Sequence, residues 1–168
     1  MSKTSIAASA ALLVAAGLLL AAAVPDAPGA APVATPECIA GTFKAKTETT
    51  DYTLNLSSGN FVSVPGTGVV FRQGATGCVL LMFSSWVQTS SNQIRLRAVI
   101  GNGTYIAQPS EVDFTTFAEE TYGAARAFNF VFQNISAGTH TAIVQAAPAF
   151  LSGSAKLGER STVVFYRK

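Results

Sequence analysis

Ile94-Arg95-Leu96-Arg97-Ala98-Val99-Ile100 places Ile94, Leu96, Ala98 and Ile100 on one side of an extended chain and Arg95 and Arg97 on the other, which faces water. Phe128-Asn129-Phe130-Val131-Phe132-Gln133 repeats the pattern with three rings on one face, opposite Asn129 and Gln133. Each ring, once buried, stabilises the fold by about 1.5–3 kcal/mol. This period of two predicts strands half-buried against a core.

Working outward, the same alternation recurs between turn residues every eight to twelve positions or so, the pattern of an all-β sandwich or barrel. The expected strands are Ile39–Lys46, Tyr52–Leu56, Gly68–Arg72, Cys78–Trp86, Ile94–Ile100, Glu111–Phe114, Ala125–Gln133, Thr139–Ala146 and Thr162–Tyr166. The run Cys78–Phe83 is apolar on both faces, which suggests a central strand. Gly101-Asn102-Gly103 supplies a turn, and Ala137-Gly138 makes Phe128–Ala146 an expected hairpin. Ala147–Glu159, with Pro148, Gly153 and Gly158, reads as a long loop. No stretch sustains an apolar period of 3.6. The expected fold is all-β: a two-sheet antiparallel sandwich, most simply a jelly-roll, of eight to nine strands.

Upstream, Lys3 precedes an apolar run from Ile6 to Ala23 that ends in Ala21-Ala22-Ala23. Positive charge, apolar stretch and small residues in that order make residues 1–23 a signal peptide. Pro25, Pro28, Pro32 and Pro36 make residues 24–37 a Pro/Ala-rich lead-in that joins neither helix nor sheet interior. Residues 38–168 then form a single domain, secreted or cell-surface; an uncleaved signal anchor is the alternative to release. Cys38 and Cys78 are the only cysteines, and an even count in an exported chain predicts a disulfide. Only 12% of residues are charged, against about 25% in ordinary soluble domains, and the net charge is +2. No basic run suggests nucleic acid as a partner.

Cys78–Ser85, Arg97–Gly103 and Ala137–Gln145 resemble segments of small exported bacterial β-sandwich proteins with a jelly-roll like that of the C1q and tumour-necrosis-factor family. The resemblance covers about the last two-thirds of the chain. It implies a jelly-roll and a homo-oligomer, a trimer, and no particular ligand.

Catalytic chemistry finds little to work with. His140 is the only histidine and no Gly-x-Ser-x-Gly elbow accompanies it, so a hydrogen-bonded structural or surface role is expected. Two thiols and one histidine fall short of a zinc ligand set. Glu111 and Asp113, on one face of a strand about 7 Å apart, match the separation used by inverting glycosidases, provided that they line a deep cleft. Asp113 with Glu119 and Glu120 lacks the alternating acids of a calcium loop. Pro65-Gly66-Thr67-Gly68 lacks the lysine of a phosphate loop. Asn55, Asn102 and Asn134 begin glycosylation triplets, but the Ala-rich leader reads as bacterial and no modification is expected. No cofactor is expected.

Trp86, at the end of an apolar strand, with Tyr105 and Tyr122 in turn or loop positions, forms a candidate ligand surface on which a sugar would stack. The expected function is a secreted, non-catalytic binding or structural module. A carbohydrate-binding protein is the first alternative and a glycoside hydrolase using Glu111 and Asp113 the second.

Overall fold

The computed structural model describes residues 38, 41–56, 59–89, 93–115, 123–149 and 153–168. The expected leader, the whole of the lead-in, Ile39, Glu119, Glu120 and Tyr122 lie outside them. Eleven strands run in chain order: β1 Thr42–Glu48, β2 Tyr52–Leu56, β3 Val62–Ser63, β4 Val69–Gln73, β5 Gly77–Thr89, β6 Ile94–Ile100, β7 Tyr105–Ile106, β8 Val112–Asp113, β9 Ala124–Ile135, β10 Gly138–Pro148 and β11 Gly153–Tyr166.

Two antiparallel sheets result. Sheet A has the order β1-β11-β5-β9, with β2 continuing along β11 beyond β1. Sheet B has the order β3-β10-β6-β7, with β4 also on β10 and β8 also on β6. β1 with β2, β3 with β4, and β7 with β8 thus each occupy one strand position in two pieces. Eight positions in two interleaved Greek keys make a jelly-roll.

The alternation read from sequence is the alternation that builds the core. Ile94, Leu96, Ala98 and Ile100 of β6 face Val79, Leu81, Phe83 and Val87 of β5 and Phe130 and Phe132 of β9 in one apolar cluster. β5 lies between β11 and β9, as its two apolar faces predict. Gly101, Asn102 and Gly103 have φ of 62°, 55° and 95°, and they turn β6 into β7. Cys38 bonds to Cys78, with Cα atoms 5.4 Å apart, and ties the start of the domain to the beginning of β5.

Three expectations need correction. β9 and β10 do not form a hairpin: β9 pairs with β5 in sheet A and β10 with β6 and β4 in sheet B. Asn134 at φ 56° and Gly138 at φ 139° instead carry the chain across the sandwich. The same short glycine-containing link serves both purposes, and only the remote partner strands distinguish them. Second, Ala147–Glu159 is no long loop; β10 continues to Pro148 and β11 begins at Gly153. A register shift between Leu157 and Arg160 reverses the alternation, so Ala155 and Leu157 are buried before it and Thr162, Val164 and Tyr166 after it. That change of parity hides the strand from a period-two reading. Third, Arg95 and Arg97 point outward but do not simply face water: their guanidinium carbons lie 5.6 and 4.2 Å from the Phe61 ring centroid.

Candidate functional site

The outer face of sheet A is the unusual surface of this molecule. The strand registers stack Phe43, Phe165, Leu80 and Val131 across β1, β11, β5 and β9. The next rung is Ala45, Val163, Met82 and Asn129, and the next Thr47, Ser161, Ser84 and Ala127. A two-layer sandwich usually turns polar side chains outward. Here Phe43 is 62% exposed and Met82 40%. The rungs grade from apolar to hydroxyl-bearing toward Trp86, the next outward residue of β5 after Ser84.

Trp86 is half-buried because its indole lies over two glycines. A Cβ at Gly123 would collide with the six-membered ring, and one at Gly158 would come within 3.1 Å of Cε3. Gly158 belongs to the β11 bulge, so the irregularity that hides the strand also makes room for the ring. Lys156 sets its ammonium 5.7 Å from the ring centroid and is held there by Asp51 at 2.9 Å. Beside the indole, Thr47, Glu48, Thr49, Ser84, Ala125, Arg126, Glu159, Arg160 and Ser161 help line an open trough of about 680 Å³.

Two charged groups shape that trough. Arg160 is buried, and its Nε donates to Pro65 O at 2.8 Å while Nη1 donates to Thr50 O at 2.9 Å and Gly158 O at 3.0 Å. One guanidinium thus joins the β1–β2 link, the β3–β4 link and the bulge. Glu48 accepts from the Thr50 backbone N–H at 3.1 Å, which holds its carboxyl below the ordinary glutamate value, with smaller help from the Thr50 side chain and Arg160.

The other candidates lie elsewhere. Tyr105 is on β7 in sheet B, its hydroxyl 3.4 Å from Ser136 Oγ, at the far end of β9 from Ala125, the partner of Trp86. Eleven residues of strand separate those ends, roughly 35 Å, so Trp86 and Tyr105 do not share a platform. His140 Nε2 donates to Ser136 O at 2.9 Å, and its ring lies against Phe71 and Tyr105. Glu111 and Asp113 are exposed on the edge strand β8 and the residue before it, and Glu111 pairs with Arg95 at 2.7 Å. Two exposed carboxylates, one of them ion-paired, are not the enclosed acid and base that a paired-carboxylate hydrolase requires. Among the described residues no group of three or more His, Cys, Asp and Glu could hold a metal ion. Sequence reasoning found Trp86 but missed Gly123, Gly158, Ser161 and Thr47, which only strand register brings to it.

No family model matches the chain, and no curated protein does. Solved structures similar to it include the VP2 subviral particle of infectious bursal disease virus, at 14% identity and TM-score 0.48 over 84% of this chain and 37% of that one. This chain therefore spans little more than a third of VP2. Two others are the C-terminal CBM6 of LamC from Zobellia galactanivorans (15%, TM-score 0.42, 73% of this chain and 91% of that) and the carbohydrate-binding module CBM6cm-2 of Cellvibrio mixtus lichenase 5A in complex with cellotriose (18%, 0.40, 74% and 88%). At these identities such likenesses carry no information on ligand.

Proposed function

We propose that the chain is an exported, non-catalytic binding module whose working surface is the outer face of sheet A, with a carbohydrate as ligand at the Trp86 end. The observation that supports this is the seating of the indole: a half-exposed ring over Gly123 and Gly158, beside the in-register hydroxyls of Thr47, Ser161 and Ser84. A sugar ring offers an apolar C–H face for the indole and hydroxyls for its neighbours. The Cys38–Cys78 disulfide supports an oxidising compartment. A glycan array with the exported protein, followed by calorimetry on the glycans retained, tests the reading. Trp86→Ala abolishes binding and Tyr105→Ala, at the other end of the sandwich, leaves it unchanged; no retained glycan, or binding indifferent to Trp86, overturns it.

The apolar end of the same face favours a second reading, self-association into the trimer implied by the C1q-like resemblance. Four strands at about 4.8 Å and two rungs at about 6.7 Å present roughly 250 Å² in projection, with Phe43 and Met82 its most exposed apolar side chains. Light scattering on the exported protein and on a Phe43→Ser, Met82→Ser variant decides it. An oligomer that the variant dissolves supports the reading, and a wild-type monomer removes it.

A further inference from the structure

The flank of the sandwich opposite β9 collects positive charge. There the edge of sheet A, β1, runs beside the edge of sheet B, β4, and Lys44, Arg72, Gly74, Tyr166 and Lys168 line a cleft of about 470 Å³. Lys44 lies on the side of β1 opposite Phe43, toward sheet B, and its Nζ donates to Val70 O at 2.9 Å, which pins it across the gap. Tyr166 is buried at 5% exposure and forms the floor against Phe71, ring centroids 5.3 Å apart. Gly74 is required: its N–H donates to Arg167 O at 2.8 Å, and a Cβ there would collide with the Lys168 backbone. Among the described residues, neither the Arg72 nor the Lys168 side chain has a hydrogen-bond or ion-pair partner.

Lys44, Arg72 and Lys168, from three segments, thus line one concavity; its lining side chains include no acid, and the main-chain carboxyl end of Lys168, beside Gly74, offsets one of the three charges. Like charges gathered in a cleft repel one another and focus a positive potential into it. We infer that this flank is a binding site for a phosphate or sulfate ester, its oxyanion held by Lys44, Arg72 and Lys168 above the Tyr166 ring. A guanidinium meets such an oxyanion with two parallel N–H donors, and the lysines act as point charges. Three cations less that one carboxyl group still match a dianion better than a single carboxylate does. The cleft is also larger than a bare ion needs, which leaves room for the group that carries the ester.

The test is an NMR titration of the exported, disulfide-bonded protein with sodium phosphate at constant ionic strength. Expected are saturating shifts confined to Lys44, Arg72, Gly74, Tyr166 and their neighbours. Lys44→Gln and Arg72→Gln each weaken binding tenfold or more, while Lys156→Gln, the same change of charge about ten residues away along β11, weakens it less than twofold. Arg72 is exposed, so its variant keeps the fold, which the dispersion of the same spectra verifies. Shifts that fail to saturate or scatter over all basic residues, or a Lys156→Gln effect equal to that of Arg72→Gln, overturn the site. Glucose 6-sulfate and vesicles containing phosphatidylglycerol, each competed against phosphate, separate a soluble ester from a lipid headgroup. Competition by neither overturns the assignment to an ester.

Discussion

Replacing Arg160 by Met keeps the length of the side chain and removes the donors that hold three segments together. The hydrogen bonds lost are those to Pro65 O, Thr50 O and Gly158 O, at 2.8, 2.9 and 3.0 Å, and a longer one to Leu157 O at 3.4 Å. Each such bond from a charged donor contributes about 1.5 kcal/mol or somewhat more. Water regains part of this, because Thr50 is exposed and Pro65 partly so, and the buried cation no longer has to be desolvated. The net loss is about 3 kcal/mol, or roughly 10 °C in Tm for a domain of this size. Urea unfolding of the disulfide-bonded protein, followed by Trp86 fluorescence and far-ultraviolet circular dichroism, measures it as a lower midpoint with an unchanged slope. Arg160→Lys separates charge from geometry: one ammonium cannot meet carbonyls that lie on two edges of a planar fork, so it restores no more than about 1 kcal/mol. A Met variant within about 1 kcal/mol of wild type, or a Lys variant equal to wild type, refutes the view that Arg160 clamps these loops.

Three further outcomes are expected. Gly123→Ala, at φ 67° and against the indole, displaces Trp86, seen as a shifted fluorescence maximum and loss of glycan binding, whereas Gly59→Ala, with open space around it and no positive φ, leaves both unchanged. Replacing Cys38 and Cys78 by Ser opens a loop closed over a separation of 40 residues and lowers stability by about 4 kcal/mol in the chain-entropy model, read as a fall in urea midpoint; an unchanged midpoint contradicts it. Glu48 is held below its ordinary value near 4.5, so the stability it contributes is present above that value and is lost as pH falls through the lower folded value. The gap in urea midpoint between wild type and Glu48→Gln, open at pH 7, should therefore narrow as pH falls below that ordinary value; a gap of constant size rules out the linkage.

Much of this architecture was legible in the chain. Alternation at Ile94–Ile100 and Phe128–Phe132 placed their side chains correctly because a strand's pleat is local, set by successive backbone dihedrals. The apolar run Cys78–Phe83 announced a central strand for the same reason, and an even count of cysteines, behind an N-terminus that reads as an export signal, announced their bond. Where the reading failed, the deciding partner was remote. The link after β9 has hairpin chemistry yet crosses to the other sheet, because β5 claims one strand and β6 and β4 the other. The second half of β11 was read as the strand Thr162–Tyr166, but its first half passed for a loop because the bulge at Gly158 and Glu159 exchanges inside for outside midway.

The candidate surfaces divide the same way. Composition and periodicity, properties of neighbours in sequence, were enough to determine an all-β sandwich with a disulfide and to single out Trp86. Only tertiary structure separated Trp86 from Tyr105, set Gly123 and Gly158 beneath the indole, and gathered Lys44, Arg72 and Lys168 at one flank. Those groupings depend on which strands lie side by side and in which register, and that is decided by burial of the whole core at once rather than by any segment alone.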